Sequence, residues 1–248
     1  MSAGHLRRLA TLARWGATPV VLAAVCGVLY QAIQGRDLDS IEARSLGAGE
    51  IRQRLVEHVQ LTAVSTVAVV LIAVPLGVLV TRRAARHLRP AVLGLGNIGL
   101  AVPSLGLLVL FAVAFGIGFR YAVFALVAYS TLPVLRNVVV GLEQVDPALV
   151  EAARGMGLSR AGVLWRVELP LAVPVILAGI RTALVFNTGS AALASFVNGG
   201  GLGVLIDRGI RLDRQPVLVT GSVLVAVLAL LLDWLGEVVE ALLRPKGL

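Results

Sequence analysis

Apolar runs of nearly membrane-spanning length dominate this sequence. An α-helix rises about 1.5 Å per residue, so about 20 apolar residues cross the ~30 Å hydrocarbon core of a bilayer. Six runs approach that length: Ala17–Ile33, Val59–Val80, Ala91–Phe115, Tyr121–Val140, Leu171–Leu193 and Val217–Trp234. Only 15% of the residues are charged, against about 25% in an ordinary soluble domain. The sequence therefore predicts an all-α, polytopic protein of the lipid bilayer with about six transmembrane helices.

The basic residues predict the orientation, because cytoplasmic loops carry an excess of Arg and Lys. With the N-terminus inside, the inner segments hold the larger share: Arg7, Arg8, Arg14, Arg82, Arg83, Arg86, Arg89, Arg154, Arg160, Arg166, Arg244 and Lys246. Both termini are then cytoplasmic. The first run could instead be a secretory signal, but no convincing small-x-small cleavage site follows it, so a retained helix is favoured.

Several function classes are disfavoured by residue type and position. The net charge is +8, yet the basic groups lie at the ends of apolar runs rather than on one solvated face, which argues against nucleic acid as a partner. The single cysteine, Cys26, excludes a multi-cysteine metal site. All three histidines lie at membrane edges and no catalytic or metal-ligand spacing occurs inside a run, so neither catalytic nor metal-binding residues are predicted. An intramembrane enzyme is therefore disfavoured.

A glycine-rich stretch, residues 199–203, resembles a phosphate-binding loop only superficially. A P-loop needs a lysine directly after its glycines, and the sole lysine of this chain is Lys246. We expect these glycines to permit a tight turn or close backbone packing at the outer end of the fifth span. The other long polar stretch on that side, residues 34–58, is either a short amphipathic helix at the surface or an ordered connecting loop.

The connection between the fourth and fifth spans, residues 143–170, reads as two short helices. Asp146 is a good N-cap with Pro147 at the first helical position, and Gly157 can end that helix in the left-handed conformation. Ser159 can cap a second helix, which should stop near Pro170. Small residues in the first helix would let another protein approach closely, although a simple connecting loop is the alternative.

This connection also carries a family resemblance. Glu151-Ala152-Ala153, three residues, Gly157, nine residues, and then Val167-x-Leu169-Pro170 resembles the EAA loop of bacterial ABC importer permeases of the binding-protein-dependent type, with Val in place of the usual Ile. Further segments resemble the osmoprotectant branch: Glu57-His58, Leu61-Thr62, Pro75-Leu76-Gly77, Ala101-Val102-Pro103-Ser104, Leu132-Pro133-Val134-Leu135-Arg136-Asn137 and residues 199–203. The resemblance divides the chain into an N-terminal extension, residues 1–56, and a permease domain with the type I ABC importer permease fold, residues 57–248.

The resemblance implies that the EAA loop is a coupling helix that seats in a groove of a separate ATPase subunit. Glu151 is the first expected contact, Ala152, Ala153 and Gly157 allow a close fit, and Arg154 and Arg160 are expected partners for acidic groups on the ATPase. This chain would then be a translocation subunit without a cofactor of its own, and ATP and Mg would bind to the ATPase.

Further partners implied by the resemblance are a second permease subunit, identical or related, and an extracytoplasmic substrate-binding protein, all at the bacterial inner membrane. The implied cargo is glycine betaine, choline or carnitine. The alternatives are another small solute, such as an amino acid or a sulfonate, or an ATPase-independent carrier. Since only 5% of the residues are aromatic, an aromatic cage for a quaternary ammonium group is expected on the binding protein rather than here.

Polar residues inside the predicted spans are candidates for the translocation path, because burying a charge in lipid is costly. Arg181 lies well inside the fifth span and should face a partner helix or a water-filled passage, near Asn187 or Ser190. In the third span, Asn97, Pro103 and Ser104 are candidates for the same path, because Pro103 frees backbone groups that a cavity or a neighbour must satisfy.

Overall fold

The computed structural model describes the backbone of residues 3–243 and the side chains of residues 16–243. Within that range the chain is helical, with eleven α-helices: α1 (Ala3–Gln34), α2 (Ser40–Ser45), α3 (Ala48–Thr81), α4 (Arg89–Ala101), α5 (Ser104–Phe115), α6 (Phe119–Glu143), α7 (Pro147–Gly155), α8 (Arg160–Val163), α9 (Leu169–Ala191), α10 (Gly203–Arg211) and α11 (Gln215–Leu243). Two 3-10 turns, Arg86–Leu88 and Ala192–Val197, precede α4 and follow α9. The basic residues Arg7, Arg8, Arg14, Arg244 and Lys246 lie outside the described side chains.

Five of the described helices, α1, α3, α6, α9 and α11, are long and apolar enough to cross a membrane. Each contains one of the predicted apolar runs. The all-α fold with about six spans is confirmed if α4 and α5 are counted together as one span.

The predicted third span, Ala91–Phe115, is not one straight helix. α4 and α5 meet at an angle of 99°, and the break lies between Ala101 and Ser104. Val102 has an extended backbone, with φ −79° and ψ 130°, as is favoured for a residue that precedes proline. Pro103 therefore turns the chain sharply, and the predicted third span is divided into two helices, α4 and α5.

The stretch of residues 34–58 is more helical than either interpretation of its sequence. α2 is a single short helix that Asp39 caps by accepting the N–H groups of Ile41 and Glu42 at 2.9 and 2.8 Å. α3 already begins at Ala48, more than two turns before the predicted span, and runs for 34 residues. The polar residues from Glu50 to His58 therefore belong to the first turns of a membrane-spanning helix.

The core lies among α3, α6 and α9. One apolar cluster fills the half near the break, with Leu61, Leu108 and Leu126 almost completely buried, and a second fills the other half, around Val69, Val134 and Val138. A smaller cluster packs α10 against α11. α1 packs against α11, and among its side chains from residue 16 onward only Leu22 is buried, so this described part of α1 lies at the periphery of the bundle.

The antiparallel helices give the bundle two polar ends. We call the end that carries α7, with the last turns of α3 and α6 and the first turns of α4 and α9, the α7 end. We call the other end, with α2, α10, the first turns of α3, α6 and α11 and the last turn of α9, the α10 end. Ion pairs from Arg82 to Glu168 and from Arg214 to Asp39 lie at the α7 and α10 ends, respectively.

Candidate functional site

The connection between α6 and α9 forms the predicted helix-turn-helix at the α7 end. The Asp146 carboxylate accepts the N–H of Ala148 at 2.8 Å, with Pro147 in the first turn of α7. Gly157 has a φ of +86°, the left-handed conformation expected after a helix end. The Ser159 hydroxyl accepts the N–H of Gly162 at 3.1 Å. Both predicted N-caps and the turn are confirmed.

α7 projects most of its predicted contact residues into the open. Glu151, Ala152, Arg154 and Gly157 are exposed, and so is Arg160 at the start of α8. Ala153 differs, because only 2% of it is exposed and its carbonyl accepts the Leu158 N–H at 3.2 Å. Its small side chain therefore serves the packing of α7 rather than the outer surface.

The second helix of the connection does not stop near Pro170, so that prediction is wrong. α8 passes into a π-helical turn, Leu164–Glu168, and then directly into α9, with Pro170 in its first turn. Together they make a continuous helix, Arg160–Val197, of 38 residues. A π turn contains an extra residue, which relieves the clash that proline would make with the preceding turn. The exposed α7 is thus joined through one turn to the continuous helix Arg160–Val197, which includes a membrane-spanning segment.

Two ion pairs join the helices at the α7 end: one joins the continuous helix Arg160–Val197 to α3, and the other joins α6 to α4. Arg82 at the end of α3 donates to the Glu168 carboxylate at 2.6 Å and to Thr81 Oγ1 at 3.0 and 3.1 Å. Arg89 at the start of α4 pairs with Glu143 at the end of α6. Sequence reasoning counted Arg82 and Arg89 only as signs of orientation, since their acceptors lie more than fifty residues away.

A polar cavity of about 420 Å³ opens beside these pairs. Its lining includes Arg82, Arg83, Arg154, Arg160, Glu143 and Glu168. Arg154 and Arg160, predicted as partners for acidic groups on another subunit, therefore also face carboxylates of their own chain. The cavity therefore lies between α7 and the Arg82–Glu168 ion pair, which joins the end of α3 to the turn before α9.

The six predicted path residues lie in four separate places, and Arg181 is described in the next paragraph. Asn97 accepts a hydrogen bond from Arg136 of α6 at 2.6 Å, while Pro103 and Ser104 form the break between α4 and α5. Asn187 is completely buried in the core, where it donates to Thr66 Oγ1 at 3.1 Å. Ser190 is also buried. The structure does not join these residues into one surface.

Arg181 does not lie near Asn187 or Ser190, and that prediction is wrong. Its guanidinium pairs with both carboxylate oxygens of Asp233 on α11, at 2.5 and 2.7 Å. Glu237 and Glu240, one and two turns further along α11, lie 3.8 and 3.9 Å from the same group. The expectation that Arg181 faces a partner helix is confirmed, and its partners stand 52 or more residues away in sequence, beyond the reach of local patterns.

At the α10 end, the glycine-rich stretch forms the predicted tight turn. Gly200 and Gly201 have φ values of +84° and +86°. The Glu57 carboxylate accepts the Gly201 N–H at 2.9 Å, and Nδ1 of His58 accepts the Leu202 N–H at 3.2 Å. Nε2 of His58 lies 2.9 Å from the Thr188 carbonyl oxygen, so this nitrogen carries the proton. The buried His58 thereby joins α3, α9 and the turn before α10.

Among the residues that the structure describes, no three His, Cys, Asp or Glu side chains lie close enough together to hold a metal ion. Polar groups at both ends take part in helix capping, ion pairs and backbone hydrogen bonds, while Glu151, Arg154 and Arg160 remain exposed.

Comparisons with known proteins agree with this architecture. The family model for the binding-protein-dependent transport system inner membrane component matches residues 73–245. The choline transport system permease protein OpuBB of Bacillus subtilis (strain 168) is 40% identical over 200 residues, which cover 81% of this chain and 91% of the relative. The osmoprotectant import permease protein OsmW of Salmonella typhimurium is 38% identical over 216 residues, which cover 85% and 100% of the two chains.

A solved structure extends the agreement to the fold. A chain of the MetNI methionine ABC transporter, in inward-facing conformations, superimposes with a TM-score of 0.69 at 26% identity and covers 79% of this chain and 96% of that one. The resemblance inferred from the EAA loop is confirmed by these matches. The chain belongs to the family of binding-protein-dependent transport system inner membrane components, the multi-pass permeases of ABC importers.

Proposed function

We propose that this chain carries a small osmoprotectant, such as glycine betaine, choline or carnitine, across the inner membrane, driven by ATP hydrolysis on a separate subunit. The observation that carries the proposal is the exposed α7, with Glu151 and Ala152, which a turn at Gly157 joins to the continuous helix Arg160–Val197. The cargo follows the names of the relatives, which are choline, glycine betaine/carnitine/choline and osmoprotectant permeases.

The coupling step follows from the mechanical path through the α7 end. α7 docks on the ATPase, with Glu151 and Arg154 as its charged contacts. Movement of α7 then tilts α9 through the continuous helix from Arg160, and the Arg82–Glu168 pair transmits it to α3. Because an ATPase pair closes symmetrically, two permease subunits are needed, identical or related.

The orientation follows from this docking. The α7 end faces the cytoplasm, where ATP and Mg bind to the partner ATPase, and both termini lie on that side. The α10 end faces outward, toward a substrate-binding protein. The helix α1 and the segment with α2 form an extension beside the permease core.

Reconstitution tests this function. The chain is assembled in liposomes with its ATPase and binding protein, and uptake of radiolabelled glycine betaine, carnitine and choline is followed with and without ATP. We expect uptake of at least one of them that requires ATP, the ATPase and the binding protein. Uptake without the ATPase would support a self-sufficient carrier and contradict the coupling assignment.

A second cargo is suggested by the structural match to a methionine transporter. That identity is 26%, well below the 40% of the choline permease, so the osmoprotectant cargo is preferred. Methionine in the same uptake assay distinguishes the two.

A further inference from the structure

α6 packs closely against α3, α4 and α9, and these contacts show which side of α6 no other helix of this chain covers. The packing is marked by glycines at which a Cβ atom would collide with α6: Gly77 of α3 with Val138 at 2.5 Å, Gly96 and Gly99 of α4 with Leu132 at 2.8 Å and the Ala128 carbonyl at 2.6 Å, and Gly179 of α9 with Asn137 at 2.5 Å. Successive helical residues are rotated by about 100°. The side of α6 between α4 and α9, opposite α3, therefore carries Tyr129, Pro133, Arg136 and Val140.

Exposure agrees with this assignment. Arg136 and Val140 are exposed and Tyr129 and Pro133 are half-buried, whereas residues on the other sides of the same turns, such as Leu132, Val134 and Val138, are buried. We call the side with Tyr129, Pro133, Arg136 and Val140 the open face of α6.

Arg136 is an unusual residue for an open face of a membrane helix. It lies seven residues before Glu143, or about 10 Å from the α7 end of α6. Its guanidinium donates to Asn97 Oδ1 at 2.6 Å, and within residues 16–243 no carboxylate lies within ion-pair distance of it. A cation directed at lipid is strongly disfavoured at that depth. We therefore expect the open face to meet water or another subunit rather than lipid.

An aromatic pair lies on the same face, two turns away. Tyr129 and Phe186 of α9 have ring centroids 5.9 Å apart at an interplanar angle of 34°, and Phe186 is 38% exposed. Helical side chains lean toward the N-terminus of their helix, so the long Arg136 side chain leans toward Tyr129. This pair could not be read from the sequence, because the two residues stand 57 positions apart and only the packing of α6 on α9 joins them.

The two groups have complementary chemistry. Aromatic faces attract quaternary ammonium ions, and an arginine supported by an amide binds a carboxylate. A solute that carries both charges would meet both groups along one helix face.

We propose that the open face of α6 is a binding subsite in the passage for zwitterionic quaternary ammonium carboxylates, with the carboxylate on Arg136 and Asn97 and the ammonium group on Tyr129 and Phe186. This subsite rests on the proposed function, because it takes osmoprotectants as the cargo. It separates glycine betaine and carnitine, which have a carboxylate, from choline, which has a hydroxyl group in its place.

The test compares substitutions of Arg136 in the complete importer, reconstituted with its ATPase and binding protein. The uptake ratio of radiolabelled glycine betaine to choline should fall about tenfold in Arg136→Gln, since one charge-assisted contact is lost, and less in Arg136→Lys. Arg120→Gln is the matched control, because Arg120 is an exposed arginine in the first turn of the same helix, and it should keep the wild-type ratio. Carnitine should follow glycine betaine.

A second pair of variants tests the aromatic group. Tyr129→Leu should lower the uptake of all three solutes, whereas Tyr129→Phe, which keeps the ring, should retain it. Binding of the solutes to the binding protein is measured alongside and should be the same for every variant.

Several outcomes overturn the subsite. An unchanged ratio in Arg136→Gln, or an equal loss for all three solutes, removes the carboxylate contact. Loss of assembly in both Arg136→Gln and Arg136→Lys assigns Arg136 to contact between subunits instead. A wild-type importer that takes only choline refutes the subsite but leaves the importer intact, whereas one that takes none of the three refutes the proposed cargo itself.

Discussion

The two ends of the bundle use similar residues in opposite ways. At the α7 end, Glu151 and Arg154 of α7 and Gly157 in the turn that follows are exposed. At the α10 end, Glu57 and His58 turn inward and bind the backbone of residues 201 and 202. These three residues at the α7 end remain exposed, whereas Glu57 and His58 at the α10 end bind the backbone of their own chain. A charged residue near a membrane edge can therefore be exposed or can stabilise its own chain, and only its hydrogen-bond partners decide which.

The largest effect is expected from charge reversal at Glu151, on the exposed α7. Glu151→Lys should abolish ATP-dependent uptake, because the proposed docking contact becomes repulsive, while the amount of folded protein stays the same. Copurification of the ATPase and uptake in liposomes measure both effects. Asp37→Lys makes the same charge change at an exposed residue near the α10 end and should leave ATPase binding intact. Normal coupled uptake by Glu151→Lys would refute the docking assignment.

The inward-facing end should respond in stability rather than in coupling. His58→Ala leaves the Thr188 carbonyl and the Leu202 N–H buried without partners, which should cost about 2–5 kcal/mol. Thermal unfolding of the purified protein in detergent measures this loss. His87→Ala is the control at the α7 end, since His87 is exposed, and it should change stability by less than about 0.5 kcal/mol. Equal effects of the two substitutions would contradict the comparison.

Gly157 at the α7 end and Gly201 at the α10 end have the same φ of +86°. The same substitution at each glycine therefore compares how tightly the two turns are packed. A left-handed alanine costs roughly 1–2 kcal/mol at either position. A Cβ atom on Gly201 would also lie 3.1 Å from His58 Nδ1, whereas nothing lies within 4 Å of one on Gly157. Gly201→Ala should therefore lower the melting temperature more than Gly157→Ala. The reverse order would show that the α7 turn is the tighter of the two.

The smallest expected effect concerns α2. Backbone N–H groups of Glu42 and Ile41, together with Arg214, hold the pKa of the Asp39 carboxyl below its ordinary value of 3.8. A carboxylate with a lowered pKa stabilises the folded state above that ordinary value and loses this contribution as the pH falls through the folded-state pKa. The melting-temperature difference between wild type and Asp39→Asn should thus be small at neutral pH and vanish in acid. A difference that grows on acidification would contradict this.

Prediction from sequence worked best where local interactions decide the structure. The caps at Asp146 and Ser159 and the left-handed Gly157 follow from residues within four positions of each other, so the helix-turn-helix could be read directly. The end predicted at Pro170 failed because the chain inserted a π turn. Whether proline ends a helix or is accommodated depends on the helices packed around it.

Hydropathy and local patterns predicted a membrane protein, the approximate positions of its long helices and the connection that carries α7. The pairing of Arg181 with Asp233 and the burial of Ala153 depend on the tertiary structure. So do the contacts of α6 through Arg136 with Asn97 of α4 and through Tyr129 with Phe186 of α9. The physical reason is that a membrane helix can be apolar on every side. Lipid and protein interior then look alike in the sequence, and the rotation of each helix is set by close packing, as at Gly77, Gly96 and Gly179.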